Sequence, residues 1–126
     1  MIQVKINGNL YPATVAGRMN DKDWDGRESK SITMTGTYAT VSALFSDGMA
    51  WSIVDEHEEQ VYDENGEPVL NESGEPTYET KQTEFDNSAY NILGDITVHT
   101  DGTCTVKMGK ETDEETLLTL LYGGEV

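Results

Sequence analysis

What the chain lacks narrows it before anything it contains. It has a single cysteine, Cys104, in 126 residues, which excludes an internal disulfide framework and any metal cage built from several thiolates. Its two histidines, His57 and His99, are far apart, and His57 has no second histidine four residues on, so the zinc-protease helix pattern is missing. No apolar run approaches the roughly 20 residues that span a bilayer. The opening, Met1-Ile2-Gln3-Val4-Lys5-Ile6, alternates as a strand does and lacks the unbroken apolar stretch of a signal peptide. The expectation is a protein made in the bacterial cytoplasm, with no transmembrane segment and no export by the usual route. The chain also lacks Gly-x-Ser-x-Gly, a phosphate-cradling loop and a dinucleotide fingerprint.

Positive charge is equally scarce. Eight lysines and arginines face 24 aspartates and glutamates, a formal charge of −16. Such a chain repels nucleic-acid phosphates and anionic membrane surfaces, and it suits basic partners. The excess is concentrated: residues 55–86 hold twelve acidic side chains and one base, Lys81, a net −11, leaving −5 for the other 94 residues. Carboxylate pairs abound there, but no enclosing pocket is expected to raise a pKa for acid–base work. Neither an enzyme, a cofactor nor a small-molecule substrate is expected.

What remains is enough for one domain over residues 1–126, with 36% hydrophobic residues in short patterned runs. Ile2, Val4 and Ile6 alternate with polar residues, and Asn7-Gly8 supplies a two-residue turn that sets Val4 opposite Tyr11 and Ile2 opposite Ala13. Pro12 suits an edge. Gly17 to Lys30 reads as a polar loop and Ser31 to Thr35 as a short strand. Thr37 to Asp47 reads as a helix with Tyr38, Val41, Leu44 and Phe45 on one face and Gly48 as its stop. Met49 to Val54 reads as a strand with Trp51 and Ile53 on one side.

The middle repeats itself after eight residues. Asp63-Glu64-Asn65-Gly66-Glu67-Pro68-Val69 is echoed by Asn71-Glu72-Ser73-Gly74-Glu75-Pro76-Thr77. Two acidic turns, with sparse apolar residues Val61, Tyr62, Val69, Leu70 and Tyr78, predict an extended hairpin or mobile loop that stands off the body. An ordinary solvated loop is the plainer alternative. Asp86 to Leu93 reads as a helical turn ending at Gly94. Asp95 to Met108 reads as a hairpin whose three-residue loop, Thr100-Asp101-Gly102, aligns Ile96, Val98, Cys104, Val106 and Met108 on one face. His99 then lies on the polar face. Thr112 and Glu115 form a capping box for a last helix with the stripe Leu117, Leu118, Leu121 and Tyr122, stopped by Gly123-Gly124. The fold class is α+β: a small antiparallel sheet or partly open barrel built from hairpins, two short helices and a long acidic arm.

Two local motifs bear on binding. Asp21-Lys22-Asp23-Trp24-Asp25-Gly26 matches the first half of a calcium loop, but the twelfth position is Ile32 where a bidentate Glu is required, the eighth is Glu28, and flanking helices are missing. A solvated turn fits better, and no metal ligand is assigned. In the same loop Trp24 and Arg27 have the chemistry of interface anchors, although Trp24 would also serve to cover one end of a core. Val61, Val69, Leu70 and Tyr78 are the other partner candidates, since the arm offers them little burial of its own.

Ile6-Asn7-Gly8-Asn9-Leu10-Tyr11-Pro12 and Asp23-Trp24-Asp25-Gly26-Arg27-Glu28-Ser29-Lys30-Ser31-Ile32 together resemble the start of small tail-associated proteins in prophages of gut Firmicutes. The Asp-Glu-Asn-Gly-Glu-Pro-Val arm resembles acidic hairpins common in phage virion proteins. The resemblance spans about half the chain and implies a non-enzymatic virion protein of the tail or baseplate region. Its partners would be other virion proteins or further copies of itself, met through β-rich interfaces. Two other readings stand beside it: a decoy whose acidic arm mimics nucleic acid, and a small adaptor domain unrelated to phage.

Overall fold

Asn7 and Gly8 decide the first turn. Both sit at positive φ, 51° and 82°, so β1 (Ile2–Ile6) folds back on β2 (Asn9–Pro12) through a two-residue loop. Val4 lies opposite Tyr11, and the Ala13 N–H donates to the Ile2 carbonyl at 3.2 Å, as the pattern predicts. The computed structural model describes residues 1–122 of the protein. Pro12 closes an edge strand, where a missing N–H is tolerated.

Ala13 then carries the chain into a second sheet. Residues 17–30, expected as a loop, are instead mostly strand: β3 (Thr14–Asp21) pairs antiparallel with β4 (Arg27–Thr35) around a single 3-10 turn, Lys22–Trp24. The polar sequence misleads because β3 is an exposed edge and the outer face of β4 is polar. On that face Thr33 and Thr105 hydroxyls meet at 2.8 Å. The short strand expected at Ser31–Thr35 is the end of β4.

The helix expected from Thr37 to Asp47 is shorter. Thr37 caps α1 (Tyr38–Ser42) by accepting from the Thr40 N–H at 3.2 Å, and turns follow. Val41 and Phe45 are buried as expected, whereas Tyr38 is 56% exposed. Asp47 lies outside the helix and accepts the Leu93 N–H at 3.0 Å.

The next strand, β5 (Ser52–Gln60), starts after Trp51 and runs past Val54. It pairs with β1 only from Ser52 to Asp55, but with β6 (Tyr78–Asp86) along all nine residues. Glu56 still bonds Met1, its N–H donating to the Met1 carbonyl at 2.8 Å, and beyond it the two strands form a ribbon on their own. Val54 is buried on the face away from Trp51; the Lys5–Glu84 pair, 3.1 Å, reaches from β1 to β6 across β5. The helical turn expected over residues 86–93 is reduced to one hydrogen-bonded turn at Ser88-Ala89, with the Tyr90 N–H donating to the Asn87 carbonyl at 2.9 Å; it leads into β7 (Ile92–Val98), and Gly94 lies inside that strand rather than ending the turn. β8 (Thr103–Gly109) returns from the three-residue loop with Gly102 at φ 87°. Val98 faces Cys104 and Ile96 faces Val106, the expected register.

The result is an α+β domain of two four-stranded antiparallel sheets, β2-β1-β5-β6 and β3-β4-β8-β7, with no closed barrel among the described residues. Its core gathers Val4 and Ile6 from the first sheet, Ile32, Met34, Cys104, Val106 and Met108 from the second, and Val41, Phe45 and Trp51 from the connection. The last helix, α2 (Asp113–Tyr122), has the expected capping box: Thr112 N–H to Glu115 Oε1 at 2.9 Å and Glu115 N–H to Thr112 Oγ1 at 3.1 Å. Its stripe does not enter the core, because Leu117, Leu118 and Leu121 are each at least half exposed. The Tyr122 side chain and the Gly123-Gly124 stop lie outside the described residues. Among those residues no helix is long and apolar enough to cross a membrane.

Trp51 is 2% exposed and its indole N–H donates to the Tyr90 carbonyl at 2.8 Å. Trp51→Ala is expected to lower the unfolding free energy by about 3–5 kcal/mol, read as a fall in the urea midpoint at unchanged slope.

Candidate functional site

Two places hold the residues singled out from the sequence: the turn at Trp24 and the tip of the acidic arm. In the first, the aspartates of residues 21–25 shape the turn. Asp21 caps it by accepting from the Asp23 N–H at 3.2 Å, Asp25 takes the left-handed conformation at φ 58°, and Gly26 follows at φ 73°. The Asp21 carboxylate faces inward, with Lys107 Nζ at 2.7 Å, Ser29 Oγ at 3.4 Å and Arg18 at 3.5 Å. The hydrogen bond from the Lys107 ammonium holds its pKa below the usual carboxylate range. Asp21 thus serves a lysine where a calcium loop would need it to turn toward a cation with Asp23 and Asp25. Among the described residues, no group of three or more His, Cys, Asp or Glu side chains is placed to hold a metal ion.

Trp24 lies over β7 and β8 where two glycines leave room for it. A methyl group at Gly94 would stand 2.7 Å from the ring, and one at Gly109 would stand 2.7 Å from the ring and 2.6 Å from Arg27 Cδ. The Arg27 guanidinium sits 4.9 Å from the ring centroid and Lys107 Nζ 5.8 Å, within cation–π range. Arg27 is buried. It donates to both Glu115 oxygens, at 2.8 and 3.2 Å, and to the Lys110 carbonyl at 3.1 Å. The arginine expected as an interface anchor is spent inside the chain, where it moors α2 to β4. The sequence signal that could have found this cluster is glycine within strand interiors, which marks close approach of another group.

Glu28 and Lys30, beside it on β4, close on Tyr90. The Tyr90 hydroxyl donates to Glu28, and Lys30 Nζ lies 4.9 Å from the ring centroid. Burial, then the Glu28 carboxylate, push the phenol up to about 12.

The arm tip is built on the repeat. In each copy the first side chain accepts two backbone N–H groups: Asp63 from Asn65 and Glu67, Asn71 from Ser73 and Glu75, at 2.9 and 3.0 Å in both. Gly66 and Gly74 close the turns at φ 78° and 77°. Bridges Tyr62↔Pro68 and Leu70↔Pro76 end two miniature hairpins, and Gln60↔Tyr78 ends the long ribbon. Where the three meet, the Val61 N–H donates to the Thr77 carbonyl, Val69 to Val61 and Thr77 to Val69, each at 2.9 Å. This closed ring satisfies the backbone of a three-way junction with no core beneath it. Val61 and Val69 thus come together in the ring, and Leu70 and Tyr78 take equivalent places one residue on. Trp24, by contrast, belongs to a separate cluster.

Compared with family models, curated proteins and solved structures, the chain matches none.

Two outcomes test the Trp24 cluster. Gly109→Ala is expected to displace the indole and cost about 1–3 kcal/mol, seen as a lower urea midpoint and greater acrylamide quenching of tryptophan. The Glu115 carboxyl is held at about 2, chiefly by Arg27, then by the Thr112 N–H. A lowered folded-state pKa gives stability that is present above the unfolded value, near 4.5, and lost as pH falls toward about 2. Helical signal from α2 should therefore fall across that window, and Glu115→Gln should weaken it already at pH 7.

Proposed function

We propose that this chain is a non-enzymatic structural subunit of a phage or prophage virion, of the tail or baseplate region, working through protein–protein contacts. The observation that carries this reading is where the apolar residues left out of the core are displayed. Tyr62, Leu70 and Tyr78 are 54–59% exposed on an ordered arm, and Leu117, Leu118 and Leu121 are 50–56% exposed on a capped helix. Grouped apolar exposure on ordered elements is the mark of contact surfaces. The resemblance of the N-terminal stretches and of the acidic turns supplies the virion setting. The decoy reading draws support from one feature: the arm is a hydrogen-bonded ribbon, so its carboxylates are held in place for a basic site.

Gln60 and Tyr78 are a cross-strand pair and the Val61 N–H donates to the Thr77 carbonyl just beyond it, so the four residues Val-Asn-Gly-Thr can replace residues 61–77 without disturbing the ribbon below. The shortened chain is expected to unfold with the parent's cooperativity and to be absent from particles released on prophage induction, measured by sedimentation and immunoblotting. Equal incorporation of both chains would remove the arm from assembly. Salt-sensitive displacement of duplex DNA from a DNA-binding protein would favour the decoy.

A further inference from the structure

The three-way junction repeats its geometry as well as its sequence, and that gives the arm tip a defined apolar face. Residues 61, 69 and 77 form the hydrogen-bonded ring. In extended chain the side chains alternate, and cross-strand partners share a side. The pairs Gln60↔Tyr78, Tyr62↔Pro68 and Leu70↔Pro76 therefore project together from one side of the ring. The Tyr62 hydroxyl bonds Gln60 Oε1 at 3.2 Å, which joins two of them directly. Five of these six side chains are Tyr, Pro, Leu, Pro and Tyr. The related positions Tyr62, Leu70 and Tyr78 are exposed to nearly the same degree, 56%, 54% and 59%.

We propose that this face is the docking surface for a basic partner protein, one that offers an apolar patch bordered by lysine or arginine. The inference rests on the assembly reading above, and it adds which side of the arm makes contact and what chemistry receives it. Charge selects the partner. The repeat places Glu64 with Glu72 and Glu67 with Glu75 at equivalent points of the two turns, and residues 60–80 contain six acids and no lysine or arginine. A second copy's tip would bring the same charge against it, and a second copy's α2 begins with Asp113, Glu114 and Glu115. Both contacts are repulsive, so the occupant is a different chain of opposite sign. Tyrosine supplies large contact area with few torsions to freeze, and the backbone ring holds the face in shape before binding, which lowers the ordering cost.

The test uses the full chain and three fluorescein-labelled peptides of equal length, read by anisotropy. One has a Leu-Trp-Leu centre flanked by arginines; the second replaces that centre with serine; the third replaces the arginines with glutamine. The first peptide is expected to bind the parent, more weakly as salt rises, and the other two to bind at least tenfold more weakly. Combined Tyr62→Ser, Leu70→Ser and Tyr78→Ser substitution should cost the first peptide tenfold or more. Combined Glu→Gln substitution at 64, 67, 72 and 75 should flatten the salt dependence, while Met19→Ser with Val98→Ser, exposed apolar positions of the second sheet, leaves binding unchanged. Circular dichroism checks that the variants keep their β signal, as exposed positions around a backbone ring should.

No binding by the parent overturns the proposal, as does undiminished binding by the serine-substituted arm, which would leave a surface that acts by charge alone. Particle incorporation separates this from the broader reading. If the serine variant enters particles normally and the 61–77 replacement does not, this face is the wrong one and the arm still assembles. If the replacement also enters, the arm has no assembly role.

Discussion

Trp51 is the residue on which both halves of the structure hang. Its ring fills the space between the two sheets, its indole N–H holds the carbonyl of Tyr90, and its own carbonyl takes the Asn87 N–H at 2.9 Å. These contacts join the start of β5 to the segment between β6 and β7, where the chain passes from one sheet to the other. They also set where the body stops. Val54, three residues on, is the last buried residue of β5, and past Glu56, which still bonds Met1, the strand keeps only β6 as a neighbour. Tyr90 extends the same link to Glu28 and Lys30 on β4.

The arm is ordered on a different principle. With almost nothing to bury, it depends on closing its backbone hydrogen bonds. Each turn is wrapped around an Asp or Asn side chain, and the three-way meeting point closes in a ring of N–H to carbonyl bonds. A structure that needs no core can leave its apolar side chains outward, and that is the physical basis for the proposal that the arm makes contact. The Trp24 cluster works the other way. An apparent binding motif turns out to be consumed internally, with Arg27 and Lys107 flanking the indole and Arg27 holding α2 through Glu115.

Local chemistry was legible wherever neighbours in sequence are also the partners in space. The Asn7-Gly8 turn, the Gly102 bulge and its register, the Thr112–Glu115 capping box and the two acidic turns all involve groups within a few residues of one another. Residues 17–30 were not legible as strand, because β3 has no core-facing alternation and Ser29 and Lys30 of β4 are paired with Gly109 and Met108 of β8, more than 70 residues away. The helix after Thr37 ends at Ser42, and Asp47 accepts the Leu93 N–H from a distant strand, a contact that no local pattern announces.

The same division separates the two candidate sites. Composition and repeat alone established an acidic, twice-turned arm with exposed apolar residues, since those properties travel with the residues themselves. That Val61, Val69 and Thr77 close a ring, so that Tyr62, Leu70 and Tyr78 emerge on one side, depends on bonds across eight and sixteen residues. That Arg27 points inward to Glu115, and that Leu117, Leu118 and Leu121 face outward, depends on which surfaces the two sheets leave uncovered. A helical stripe encodes a face to bury, but the packed neighbours decide whether the same chain provides the place to bury it.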